Sequence, residues 1–104
     1  MILTVTRRVA FDAVHHGRKL SYALEVSIAG PLDDSGSVID FAVAREAANA
    51  AVARVLADPN LAPPTAENLV VALWRDLAPR FAPLRLTRLR LWETPNQSVE
   101  YDGN

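Results

Sequence analysis

The sequence predicts an α+β domain of order ββααββ, an antiparallel four-stranded sheet carrying two helices on one face. Three observations lead there. Apolar residues alternate at period two near both ends of the chain, they recur at helical spacing between, and clusters of turn-forming residues separate the segments. With 104 residues, half of them hydrophobic, residues 1–104 are read as one domain able to bury a modest core.

From Ile2 to Phe11, Leu3, Val5, Val9 and Phe11 fall on one parity. From Leu20 to Ile28, Leu20, Tyr22, Leu24, Val26 and Ile28 do the same, so two strands are expected. The link between them is short and contains Gly17, which favours an antiparallel hairpin. Gly30-Pro31-Leu32-Asp33-Asp34-Ser35-Gly36 ends the second strand. Asp40 then offers a carboxylate to the orphan amides of a first helix running to Ala57, with Phe41, Ala44, Ala48, Val52 and Val55 as its buried stripe and Arg45, Glu46 and Arg54 left wet. Asp58-Pro59-Asn60 stops it. Thr65 caps a second helix with Glu67 in its first turn, where the helix dipole favours an acid. Leu69, Leu73 and Leu77, flanked by Val70 and Trp74, line that helix to Ala78, and Pro79 closes it. Leu84 to Glu93 reads as a third strand whose apolar parity switches, which predicts a bulge near Thr87-Arg88. After the turn Thr94-Pro95-Asn96, Gln97 to Tyr101 forms the last strand, and no repeat or low-complexity tract interrupts the pattern.

Composition narrows the function classes. There is no cysteine, hence no disulfide, thiolate metal site or cysteine nucleophile. The formal charge of −1 gives no electrostatic case for nucleic acid or anionic lipid. The alternating start, Met1-Ile2-Leu3-Thr4-Val5-Thr6-Arg7-Arg8, reads as a strand rather than a secretory signal, and no stretch approaches the roughly 20 apolar residues of a membrane span, so a cytoplasmic protein is expected. Such a small sheet leaves long edges, which are normally paired or covered, so a homo-oligomer is expected too. Tyr22, Trp92 and the arginines of the third strand are candidates for the subunit contact, a wet outer face being the alternative for the arginines.

Several short strings, read in order, resemble the pterin synthase family that includes the 6-pyruvoyl- and 6-carboxy-tetrahydropterin synthases. Phe11-Asp12-Ala13-Val14-His15 is similar to the family's Phe-x-Ala-Ala-His. Ser21-Tyr22 with Leu24-Glu25-Val26 and Gly30 resembles the strand after its His-Gly-His, and Gly36-Ser37-Val38-Ile39-Asp40-Phe41 its Gly-x-Val-x-Asp-Phe. Pro64-Thr65-Ala66-Glu67-Asn68-Leu69 and Trp92-Glu93-Thr94 resemble two further family strings. The resemblance spans nearly the whole chain. It implies a T-fold subunit that oligomerises into a sheet barrel, as trimers or hexamers, with sites between subunits.

The chemical inventory departs from that family at one end. A catalytic zinc takes about three protein ligands, and the family supplies three histidines. By resemblance His15 falls on the first, but the positions of the His-Gly-His string hold Arg18, Lys19 and Leu20, so no zinc cofactor is expected. His16, as a strand neighbour of His15, would point to the opposite face. The family's acid–base groups are missing as well: there is no cysteine, and Asp58-Pro59 stands where an Asp-His pair would be, which leaves Asp58 a turn residue. The recognition end survives. By resemblance Glu93 would accept two adjacent N–H donors of a 2-amino-4-oxo heterocycle, and Thr65 and Glu67, cap residues physically, would lie near it. Arg18 and Lys19 put positive charge where a metal string was; they read either as an exposed basic hairpin tip or as a hold on an anionic tail, with Lys19 as a base like that of the metal-free dihydroneopterin aldolases. The sequence therefore predicts a zinc-independent pterin-binding homologue, His15 and Lys19 its candidate catalytic pair, with lyase or aldolase chemistry if it turns over. A noncatalytic heterocycle sensor or assembly partner is the alternative.

Overall fold

The computed structural model describes all residues from Met1 to Asn104. Strands β1 (Leu3–His15) and β2 (Arg18–Gly30) form a long hairpin, followed by helices α1 (Phe41–Ala57) and α2 (Ala66–Leu77), a 3-10 turn at Ala78–Arg80, and strands β3 (Arg85–Thr94) and β4 (Gln97–Tyr101). The sheet runs β1-β2-β3-β4, antiparallel throughout. This is the predicted ββααββ order.

One sheet face carries both helices. Leu24, Val26 and Ile28 of β2 and Leu89 and Leu91 of β3 are completely buried beneath them. From α1 the buried residues are Ala44, Ala48, Ala51, Val52 and Val55, whose small side chains allow the helix close to the sheet. From α2 they are Ala66, Leu69, Val70, Leu73 and Leu77. Asp40 caps α1 by accepting from the Ala42 amide at 2.7 Å, and Thr65 Oγ1 accepts from the Asn68 amide at 3.2 Å to cap α2. Arg54 of α1 forks onto Asp76 of α2 at 2.7 and 3.0 Å, and this hydrogen bonding holds the Asp76 carboxyl below its usual range.

The structure corrects four details of the sequence reading. Both hairpin strands run further than expected, so Arg18 and Lys19 belong to β2 and the link shrinks to His16-Gly17. Phe41, the first residue of α1, is 49 % exposed and lines a surface cleft with Leu3 and Val5. Pro79 ends α2 without ending the helical run, since a proline fits the first positions of the 3-10 turn that follows. Tyr22 is only 4 % exposed on the helix-bearing face, which leaves Trp92, Arg88 and Arg90 on the outer one. The predicted bulge is present: Arg88 pairs with Ser27 and Leu86 with Ile28, leaving Thr87 over.

Candidate functional site

The two halves of the hairpin have different surroundings. β2 pairs with β3 only from Ala23 to Ala29, whereas β1 and β2 stay paired out to His15 and Arg18. Phe11–His15 and Arg18–Tyr22 thus form a two-stranded arm beyond the four-stranded sheet, and the molecule is drawn out to 47 × 29 × 26 Å. The arm turns through His16 at φ 52° and Gly17 at φ 72°, the pair of positive values that a two-residue type I′ loop requires. Register then assigns the side chains. Residues directly opposite each other share a face, so His15 lies beside Arg18, Ala13 beside Leu20 and Phe11 beside Tyr22 on the helix-bearing side. The Phe11 and Tyr22 rings stack, with centroids 5.3 Å apart.

A cavity of about 360 Å³ opens at the root of this arm, lined by Arg18, Leu20, Ser21, Tyr22, Glu93, Thr94 and Gln97. Glu93 arrives there from β3, where strand parity puts it on the same face as the buried Leu89 and Leu91. A second bulge frees it: Trp92 pairs with Ser98 and Thr94 with Gln97, so Glu93 has no opposite residue. The segment that leads into α2 meets the site at Tyr22. The Tyr22 hydroxyl reaches the Pro64 carbonyl at 3.5 Å, and burial first, then the charges of Glu93 and Glu67, push the phenol above its ordinary pKa. Both carboxylates thus act electrostatically on one buried ring. Neither Glu93 nor Arg18 takes part in any ion pair or hydrogen bond between side chains.

Of the residues singled out from sequence, Arg18 and Glu93 share this cavity, Glu67 lies within electrostatic reach of Tyr22 beside it, and His15 neighbours Arg18 at the arm's end. Two others are not brought in. Thr65 spends its hydroxyl on the cap of α2. Lys19 is on the opposite face of the arm, its ammonium 3.3 Å from Asp12, which also accepts from Ser21 at 2.8 Å. The Ser21 hydrogen bond, then Lys19, hold the Asp12 carboxyl below its usual range. β2 alternation therefore puts Lys19 on the face opposite the one that His15 and Arg18 share. Asp58 lies elsewhere too, in a cleft between the helices that includes Arg54, Asn60 and Arg75. The sequence reading missed Leu20, Thr94 and Gln97 as walls of the site, and Tyr22, a candidate subunit contact there, is buried within the subunit.

The fold does bring the three family ligand positions together, since His15, Arg18 and Leu20 share a face of the arm. Only one of them carries a donor. A guanidinium stays protonated and a leucine has no lone pair. The strand argument against His16 does not hold at the turn, where its ring comes to 4.1 Å from that of His15. Even so, no three His, Cys, Asp or Glu side chains of this chain converge on a metal position. The residues present do not fit the family's zinc.

Comparison with known proteins accords with this architecture. The sequence model of the 6-pyruvoyl tetrahydropterin synthase family matches residues 4–104. The 6-pyruvoyl tetrahydrobiopterin synthase of Drosophila melanogaster is 28% identical over 99 residues, an alignment covering 85% of this chain and 59% of that protein, so the chain spans under two thirds of that relative's length. Among solved structures, the 6-pyruvoyl tetrahydropterin synthase of Caenorhabditis elegans superposes with a TM-score of 0.76 at 20% identity, over 100% of this chain and 97% of the other. An uncharacterized protein from Wolinella succinogenes gives 0.79 at 13% identity, over 100% and 99%. At those identities the two structures speak for the fold, the T-fold. No helix is long and apolar enough to cross a membrane. With the family model matching residues 4–104, nearly the whole of the chain, this chain belongs to the 6-pyruvoyl tetrahydropterin synthase family.

Proposed function

We propose that this protein binds a pterin or related purine-like heterocycle through Glu93 and does so without zinc. The observation that carries the reading is Glu93 itself, left without a cross-strand neighbour or an ion-pair partner at the wall of a cavity that also holds the buried Tyr22 ring. A 2-amino-4-oxo heterocycle presents adjacent N–H donors, and one carboxylate accepts both in the charge-assisted, two-point manner that gives hydrogen bonds their largest net worth. Leu20 and Tyr22 supply apolar surface for a planar ring. Assembly into a homo-oligomer, trimer or hexamer, belongs to the same proposal; β1 and β4 are the open edges it would use.

The noncatalytic form of this function, a heterocycle sensor or assembly partner, has the better support. Lys19 is paired to Asp12 on the far face, Asp58 lies in a different cleft, and cysteine is absent. Lyase or aldolase chemistry on a side chain would have to work without Lys19, leaving His15 of the two catalytic candidates. The test is fluorescence titration with pterins and deazaguanines against wild type and Glu93→Gln, with circular dichroism to check folding. Substituting the carboxylate removes about 3 kcal/mol of two-point recognition, so affinity should fall about 100-fold. Failure of the wild type to bind any of these ligands, or undiminished binding by Glu93→Gln, refutes the proposal.

A further inference from the structure

We propose that Tyr22 is a second recognition residue of the site, and that the cavity it lines selects 4-oxo heterocycles. Its hydroxyl donates to the ligand's carbonyl oxygen, beside the two N–H groups that Glu93 takes. This rests on the heterocycle reading of Glu93 and adds the group that reads the next atom along the ring. Three hydroxyls line the cavity. Ser21 is exposed and donates to Asp12 at 2.8 Å, and Thr94 is exposed and accepts from the Asn96 amide at 3.2 Å. Tyr22 differs from both. It is 4 % exposed, and its one hydrogen-bond partner, the Pro64 carbonyl, lies at 3.5 Å, whereas an O–H···O bond is normally about 2.7 to 2.8 Å long. A phenol taken out of water ordinarily finds a close partner, and a donor left short of one carries a desolvation cost that a ligand can relieve.

The ring is held while the O–H is free to turn. Phe11 stacks on Tyr22 with 24° between the planes, and burial keeps the phenol oxygen in place. Rotating the hydrogen about the C–O bond leaves the packing untouched, gives up only the long bond to Pro64, and frees the donor for an acceptor in the cavity. Burial, then the Glu93 and Glu67 charges, push the phenol above its ordinary pKa, so near neutral pH it keeps the proton it donates. Along one edge, a 2-amino-4-oxo ring presents two N–H donors and then an oxygen acceptor. The ionised Glu93 offers acceptors only, and Tyr22, on a neighbouring wall, supplies the matching donor.

The experiment compares pterin with 4-thiopterin, which keeps the N–H edge but has a sulfur that accepts poorly, against wild type, Tyr22→Phe and Glu93→Gln, with circular dichroism to check folding. The readout is the ratio of the two affinities. Wild type is expected to bind pterin about tenfold more tightly, the contribution of one hydrogen bond, and Tyr22→Phe to bring the ratio to about one while leaving 4-thiopterin within about twofold. Glu93→Gln should weaken both probes alike and keep the ratio. A merely structural tyrosine would lower both affinities together in Tyr22→Phe and leave the ratio as in wild type, which overturns the inference. Equal affinity of wild type for the two probes overturns it as well, whether or not the variant folds, while the heterocycle reading stands. If wild type binds neither probe, both fall.

Discussion

The four-stranded part of the sheet and the two-stranded arm are made from the same pair of strands, yet they are built for different ends. Under the helices, Leu24, Val26 and Ile28 of β2 are wholly buried and meet apolar partners from β3, α1 and α2. Beyond Tyr22 the same face of β2 carries Leu20 and then Arg18, with no third strand alongside and with Glu93 left unpaired nearby. An isolated two-stranded ribbon is marginally stable in water, so little of the fold's stability resides in the tip of the arm, beyond the buried Ala13 and Tyr22. Polar groups without partners cost little there because water reaches them, and they stay available to a ligand. The covered half sets stability, and the arm sets recognition.

The largest effect that separates the two lies in the covered half. Leu24→Ala leaves a cavity in a sealed site and should cost about 3 kcal/mol, a fall in Tm of roughly 15 °C for a domain of this size, read by thermal denaturation. Below the melting range, the affinity for pterin should not change. A changed affinity would mean that packing under the helices positions the arm, and the division would fail.

Tyr22 stands at the boundary, and its titration sharpens where that boundary runs. Burial and the neighbouring Glu93 and Glu67 charges disfavour the phenolate, so the folded state holds the proton more tightly than the unfolded chain. The stability that this confers is fully present below the unfolded value of 10.0 and is lost as pH rises through the folded one. Melting curves of wild type and Tyr22→Phe should run parallel up to about pH 10, above which wild type declines faster. A constant difference across that range would show that the ring is wet, and the covered half of β2 would end at Leu24.

Much of this division could be read in the sequence, for a reason visible in particular residues. The run Tyr22, Leu24, Val26, Ile28 is apolar on one parity because helices cover it, and the parity switch between Leu86 and Leu89 betrays the bulge at Thr87. The arm leaves no such trace. Val14 and Arg18 break the alternation near the tip of the arm, so the apolar pattern marks the strands only to Phe11 and from Leu20, although Ala13 is still buried. Hydrogen bonding and the positive φ at His16 and Gly17 hold it together instead. The bulge at Glu93 was hidden for a different reason: parity is kept from Leu89 to Glu93, and the irregularity shows only in the pairing with β4. Family strings single out Glu93 and Glu67, but that both charges act on Tyr22 depends on how α2 sits over the sheet, which no local pattern encodes.

Lys19 gives the smallest expected effect and the sharpest control. In the sequence it is inseparable from Arg18: adjacent, equally charged, and at the same hairpin. In the structure the two point to opposite faces, Arg18 into the cavity and Lys19 to Asp12, where an exposed ion pair adds little to stability. Lys19→Ala should therefore move Tm by no more than about 2 °C and leave the affinity for pterin-6-carboxylate within about twofold, although it removes the same unit of charge as Arg18→Gln. Long-range attraction of an anion would be blunted by either substitution and would fade with added salt, whereas a directed contact would respond to Arg18 alone. Equal losses in the two variants would reduce the arm to a basic tip without a preferred face. Turnover of a pterin abolished by Lys19→Ala would go further, restoring the lysine as a base and making the outer face of the arm the place where the chemistry occurs.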